Sequence, residues 1–216
     1  MDARQHRLGG NGAGSSYDVW WGNCKQRRLS GDSISIVVVE RPSQLSHAAG
    51  GGHRVSFRGA ANPPIDVKAL GEEVGYVNVP AYSGVDQAAA KAFATKAHEQ
   101  LSATVGQAGC GWIVDLRENG GGNMWPMLAG LKPFLGDEPL GMFVSWETSS
   151  PPWKAGQLGG VDPPTSLRAL EQAWVAVLTG PRTSSSGEAV TIAFKGRPDF
   201  QAPTARSHCR PARSFN

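Results

Sequence analysis

Nowhere in these 216 residues is there a run approaching the roughly 18 consecutive apolar residues that a membrane-spanning helix needs. Nor does an apolar core follow the opening Met1-Asp2-Ala3-Arg4-Gln5-His6-Arg7, so no secretory signal is expected. A cytoplasmic place is favoured on that ground, and a secreted or periplasmic one would follow if the N-terminus is incomplete. A strong charge of one sign is lacking too. Lys+Arg 21 against Asp+Glu 18 leaves +3, too small a surplus to argue for a nucleic-acid partner, and it gathers at the ends, in Arg4 to Arg28 and Arg206 to Arg213. Cysteine is scarce. Cys24, Cys110 and Cys209 lie far apart without metal-ligand spacing, and an odd count with no secretion signal favours reduced thiols. No metal and no cofactor is expected.

What is present suits one domain, or one with a small appendage, long enough to bury a sizeable core. Glycine (28) and proline (15) are abundant and imply many turns. Residues 1–73 are poorly specified, partly disordered with short strands. No regular structure is expected over 1–33 beyond the apolar knot Val19-Trp20-Trp21, whereas Ile34 to Val39 reads as a strand and His53 to Arg58 as a short alternating piece between loops.

A better-ordered core is expected over 74–198. Val74 to Pro80 alternates and ends at proline, as a strand does; Val85 to Val105 carries Phe93, Ala97, Leu101 and Val105 on one helical face, with Asp86 as cap. Trp112 to Leu116 is a second strand, Gly120-Gly121-Gly122 a sharp loop, Met124 to Leu135 one helix and Leu140 to Trp146 a third strand. After a Pro/Gly/Ser-rich excursion (Glu147 to Thr165), Ser166 to Gln172 is a helical turn and Ala173 to Leu178 a fourth strand. Residues 199–216 form a divergent basic tail without regular structure. Strands separated by helices imply an α/β fold with a mostly parallel sheet and flanking helices, whose ligands bind beyond the strand carboxyl ends.

Two loops at such ends stand out: Gly120–Gly122, and Thr179-Gly180-Pro181-Arg182-Thr183-Ser184-Ser185-Ser186-Gly187-Glu188. The second has two readings. Thr183 or Ser184 caps the following helix, with Glu188 completing a capping box. Alternatively a serine oxygen at the helix start attacks a carbonyl while the next N–H holds the oxyanion.

The segments Gly75-Tyr76-Val77-Asn78-Val79-Pro80, Ile113-Val114-Asp115-Leu116-Arg117-Glu118-Asn119-Gly120-Gly121-Gly122 and Leu178 to Ala189, in that order, resemble the catalytic core of the C-terminal processing peptidases, also called tail-specific proteases, with the tricorn-type core among them. The resemblance runs from about Val74 to Pro198. It implies a crotonase-like spiral of ββα and βαβ units and a serine-type peptidase acting through an acyl-enzyme. It places the nucleophile on Ser185, the oxyanion donors on the N–H groups of Ser186 and of Gly121 or Gly122, and a supporting role on Asp115, Arg117 and Glu188. Asp115 and Arg117 also read simply as a structural ion pair. The implied partner is a protein or peptide substrate, and a homo-oligomer stays open.

The chain departs from the family pattern where the base is sought. No lysine follows Lys195, Ala202-Pro203-Thr204-Ala205 lacks the flanking glycines of the family's turn, and no Asp-Gly-His-Ser-like segment or PDZ domain is found. Lys195 reads as a solvated helix residue, His208 as a solvated tail residue, and nothing directs His47 or His53 to the site. The general base is therefore unassigned, and a truncated or frameshifted reading frame is one explanation of the ends. A non-catalytic module on the same fold, holding an apolar ligand or peptide near Trp112, Trp125 and Trp146, is the alternative function.

Overall fold

The computed structural model describes residues 62–197, apart from 72 and 110, together with the backbone of three earlier strands, β1 (Arg4–Gly9), β2 (Ser16–Trp21) and β3 (Ser35–Val39). Cys24, Cys110, Cys209, His47, His53, His208, the piece His53 to Arg58 and the basic tail lie outside the described residues. β1 and β2 pair antiparallel in a sheet of their own, where composition suggested no regular structure; ladder bonds join backbone groups that every residue type but proline carries.

The main sheet adds β4 (Asp66–Leu70), β5 (Val74–Asn78), β6 (Gly111–Asp115) and β7 (Val175–Thr179), in the order β3-β7-β6-β5-β4. Only the β4–β5 pairing is antiparallel. β6 is central and buried at every residue, as a parallel strand covered on both faces must be. Its alternate side chains divide the core. Trp112 and Val114 join Val175 and Val177 on one face, while Ile113 joins Val74, Ala176 and Leu178 on the other.

The first face is covered by helices. In α1 (Gln87–Thr104), Asp86 Oδ1 accepts from Ala89 N at 2.7 Å, the cap expected from sequence, and Phe93, Ala97 and Leu101 are buried against the sheet. The helix predicted over Met124 to Leu135 is two, α2 (Met124–Gly130) and α3 (Lys132–Leu135), interrupted at Leu131. Pro133 lacks the N–H that would continue the ladder, and its ring crowds the preceding turn. Phe134 meets Trp112 edge-on, 5.3 Å between ring centres, and a fully buried side chain of this size stabilises by about 1.5–3 kcal/mol.

The third predicted strand is not part of the sheet. Leu140 to Trp146 forms only isolated bridges, Gly141 with Trp153 and Val144 with Ser149, and exposes Met142, Phe143, Val144 and Trp146. A 3-10 helix (Thr165–Gln172) leads into β7, and α4 (Ser186–Lys195) follows it. Because β6 and β7 run parallel and adjacent, the turns after them emerge side by side at one edge of the sheet.

Candidate active site

The turn after β6 begins with a partly buried brace. Asp115 ends the strand, and its carboxylate accepts from the Arg117 backbone N at 3.0 Å, from Arg117 Nε and Nη2, and from the Tyr76 hydroxyl at 2.6 Å. Burial by itself would raise the Asp115 carboxyl, but the hydrogen bonds from Arg117 and Tyr76 outweigh it and hold the group below the usual carboxylate range. Burial, then the bond to Asp115, pushes the Tyr76 hydroxyl well above its ordinary value. Asp115 and Arg117 thus form the ion pair anticipated from sequence, with Tyr76 as a third member that sequence reading missed; its signal was the register that puts β5 beside β6.

Farther along the same turn, Gly121 (φ 99°) and Gly122 (φ 106°) occupy the left-handed half of conformational space. Space confirms why they are glycines. A Cβ on Gly122 would lie 2.0 Å from the Tyr82 carbonyl oxygen, and one on Gly121 would lie 2.8 Å from Ser185 Cβ. The loop is therefore pressed between Tyr82 on one side and the serine turn on the other. Tyr82 N donates to Gly121 O at 3.2 Å and Asn123 N donates to Tyr82 O at 2.8 Å.

Asn119, wholly buried, organises this loop from within. Its Nδ2 donates to Val79 O (3.1 Å) and Pro80 O (3.2 Å), and its Oδ1 accepts from Gly121 N at 2.9 Å. Gly121, one of the two glycines expected to offer an oxyanion donor, has therefore already committed its N–H. Gly122 N and Ser186 N have no hydrogen-bond partner among the described residues.

The turn after β7 carries Ser185 at φ 54°, ψ −119°, the one positive-φ residue other than glycine among the described residues. For a residue with a Cβ this region costs on the order of 1–3 kcal/mol and must be enforced by its surroundings. Here the surroundings are the first loop. Thr183 Oγ1 donates to Leu116 O at 2.7 Å, Ser184 N to Asn119 O at 3.1 Å, Ser184 Oγ to Gly120 O at 3.1 Å, and Ser186 Oγ to Gly122 O. Arg182 and Glu118 add an exposed ion pair. The capping reading is overturned by this geometry. Ser185 is the residue preceding α4 and makes no side-chain cap bond, while Thr183 and Ser184 donate across to the other loop instead of accepting from the helix. Hydroxyls can do either, and the nearby carbonyl oxygens decided it. Glu188 is exposed in the first turn of α4, favourable for the helix dipole, and builds no capping box.

Ser185 is exposed, and among the described residues no side chain is hydrogen-bonded to its Oγ. Lys195 sits at the other end of α4, about 15 Å along the axis, and is solvated as expected. His98 is buried between α1 and α2 with Nε2 3.0 Å from Ala129 O; burial holds it below the ordinary imidazole value. The three tryptophans do not share a cleft. Trp112 is a core residue, Trp125 is partly buried, and Trp146 stands in solvent on the excursion after α3. Among the described residues no group of three or more His, Cys, Asp or Glu is placed to hold a metal, and no helix is long and apolar enough to cross a membrane.

Residues 73–199 match the family described as Peptidase family S41. A stretch of 96 residues is 36% identical to the nisin-resistance protein of Lactococcus lactis subsp. lactis, covering 42% of this chain and 30% of that protein. The chain thus spans under a third of that relative's length. Among solved structures, a lipoprotein from Streptococcus agalactiae superposes with a TM-score of 0.52 at 22% identity, over 65% of this chain and 49% of that one, a likeness that bears on the fold. A photosystem II D1 C-terminal processing protease aligns at 18% identity with a TM-score of 0.44, over 66% and 36% of the two chains.

Proposed function

The chain belongs to peptidase family S41, and from that premise we propose that it is a serine-type endopeptidase of crotonase-like fold that cleaves a protein or peptide substrate through an acyl-enzyme on Ser185. The observation that carries this reading is the backbone of Ser185. A strained, exposed serine between a buried parallel strand and a helix start is how a nucleophile is presented to a substrate lying above the sheet edge. A residue there for capping alone would have no reason to hold positive φ.

In the acylation step a bond forms between Oγ and the scissile carbonyl carbon, the C–N bond breaks, and the proton lost from Oγ leaves on the amine. Ser186 N, at the first position of α4, is one oxyanion donor. Gly122 N is the other. The Gly121–Gly122 peptide is pinned by Tyr82 N donating to Gly121 O, which turns the opposite N–H away from Tyr82, while Ser186 Oγ donating to Gly122 O ties the next peptide to the serine turn. Two such donors at a forming oxyanion are each worth about 10²–10³ in rate. Asp115, Arg117 and Tyr76 hold the first loop in place, and Glu188 stabilises the start of α4.

A fluorophosphonate probe tests the reading directly. Wild type should be labelled at Ser185, and Ser185→Ala should abolish labelling, a loss of at least about 10³-fold. A folded sample that takes no label at any serine would sink it.

A further inference from the structure

Asn119 lies in the Asp-Leu-Arg-x-Asn-Gly-Gly-Gly stretch, between the brace residues and the glycine loop. Its side chain and backbone touch every segment from which the site is assembled. Nδ2 reaches the end of β5 through Val79 O and Pro80 O, and also contacts Met127 Sδ in α2 at 3.1 Å. Oδ1 takes the Gly121 N–H. The backbone oxygen takes the Ser184 N–H at 3.1 Å, one residue before the nucleophile. The start of α4 also rests on it, since a Cβ on Gly187 would come within 2.6 Å of Asn119 O. A buried amide with all of these partners is rigid, because releasing any of them leaves an unsatisfied polar group in the core.

We propose that Asn119 is the positioning residue of the oxyanion site: by taking the Gly121 N–H it leaves Gly122 N as the glycine donor, and by taking the Ser184 N–H it sets the distance between that donor and Ser185. This rests on the serine-peptidase reading above. Only a group that both donates and accepts can do this. Val79 O and Pro80 O demand a donor, Gly121 N demands an acceptor, and a primary amide offers both on one planar head.

That requirement supplies the test. Asn119→Asp keeps the shape, but an ionised carboxylate turns lone pairs towards two carbonyl oxygens; once protonated, it again donates on one side and accepts on the other. Saturable fluorophosphonate labelling separates probe binding from the maximal inactivation rate. At pH 8 the variant should lose about 10²-fold in the maximal rate with binding little changed, as for a displaced oxyanion donor. The ratio of variant to wild-type rate should recover as pH falls, while near-ultraviolet circular dichroism stays native at both ends. A folded variant that labels as fast as wild type at pH 8 overturns the proposal, as does a loss confined to binding.

Amide hydrogen exchange reads the same idea without activity. Peptides spanning 119–123 and 183–187 should exchange faster in the variant, with those over β6 and β7 unchanged. Equal exchange in the two loops overturns the positioning role even if wild type proves unreactive, in which case the peptidase reading fails separately. Should Asn119→Asp not fold, Gly187→Ala approaches Asn119 O from the helix side, and a folded Gly187→Ala with wild-type labelling and wild-type exchange in both loops refutes the proposal equally.

Discussion

Two neighbouring turns in this molecule solve the same geometric problem with opposite residues. The turn after β6 reaches positive φ at Gly121 and Gly122; the turn after β7 reaches it at Ser185. Glycine is the relaxed solution, and at the first turn it is also the only one that fits, since Tyr82 O and Ser185 Cβ fill the space where side chains would stand. At the second turn a side chain is retained in spite of the strain. On the proposed reading the difference separates architecture from chemistry: the glycines leave room and offer an N–H, whereas the serine is kept for its oxygen. The turns also differ in bracing. The first hangs on the partly buried Asp115–Arg117–Tyr76 cluster, while the second rests on the exposed Arg182–Glu118 pair, on bonds between its own Gly180 and Thr183, and on the hydrogen bonds it makes to the first.

The largest break in this comparison comes from Gly122→Ala. Its Cβ would meet backbone, which cannot swing aside, at a φ that alanine resists; a loss of about 3 kcal/mol or more is expected, visible as a lowered denaturation midpoint. Gly120→Ala, where the added methyl meets open space, should stay within about 0.5 kcal/mol of wild type. Equal stabilities for the two variants would show that the steric account of this loop is wrong.

Next in size is the brace. Asp115→Asn removes the carboxylate facing Arg117 and should destabilise by about 2–3 kcal/mol. The pH dependence follows from the direction of the shift. A carboxyl held below its unfolded value stabilises the fold at pH above that value, near 4, and the contribution disappears as pH falls through the folded value. Urea titrations from pH 7 downwards should therefore show the gap between wild type and Asp115→Asn closing below about pH 4. A gap constant over that range would mean the ion pair contributes nothing through its charge.

The smallest effect has the opposite sign. Ser185→Gly relieves the positive φ and should stabilise the fold by up to about 1 kcal/mol, net of glycine's greater unfolded-state freedom, while eliminating probe labelling. A destabilised Ser185→Gly would show that the serine side chain is held there for packing instead of chemistry.

Much of this was legible in the chain itself. Alternation and β-branching marked Val74 to Pro80, Trp112 to Leu116 and Ala173 to Leu178, and all three are strands because those residues are apolar enough to be buried on both faces of a parallel sheet. Asp86 announced the start of α1. The same alternation misled at Leu140 to Trp146, where every other residue also looks strand-like. Periodicity reports what a segment would do if a partner were beside it, and there the main sheet supplies none.

The sequence by itself determined the strands β5, β6 and β7, the long helix α1, the glycine loop, the serine turn and their likeness to a peptidase family, because these are properties of local residue patterns and of motifs read in order. Tertiary structure alone decided the rest. It turned the Thr183 and Ser184 hydroxyls towards Leu116 and Gly120 instead of the helix, committed the Gly121 N–H to Asn119 while giving that of Gly122 no partner among the described residues, and joined Tyr76 to Asp115. Each of these is a choice among hydrogen-bond partners, and a donor or acceptor takes the partner that folding has brought within about 3 Å, whatever its distance along the chain.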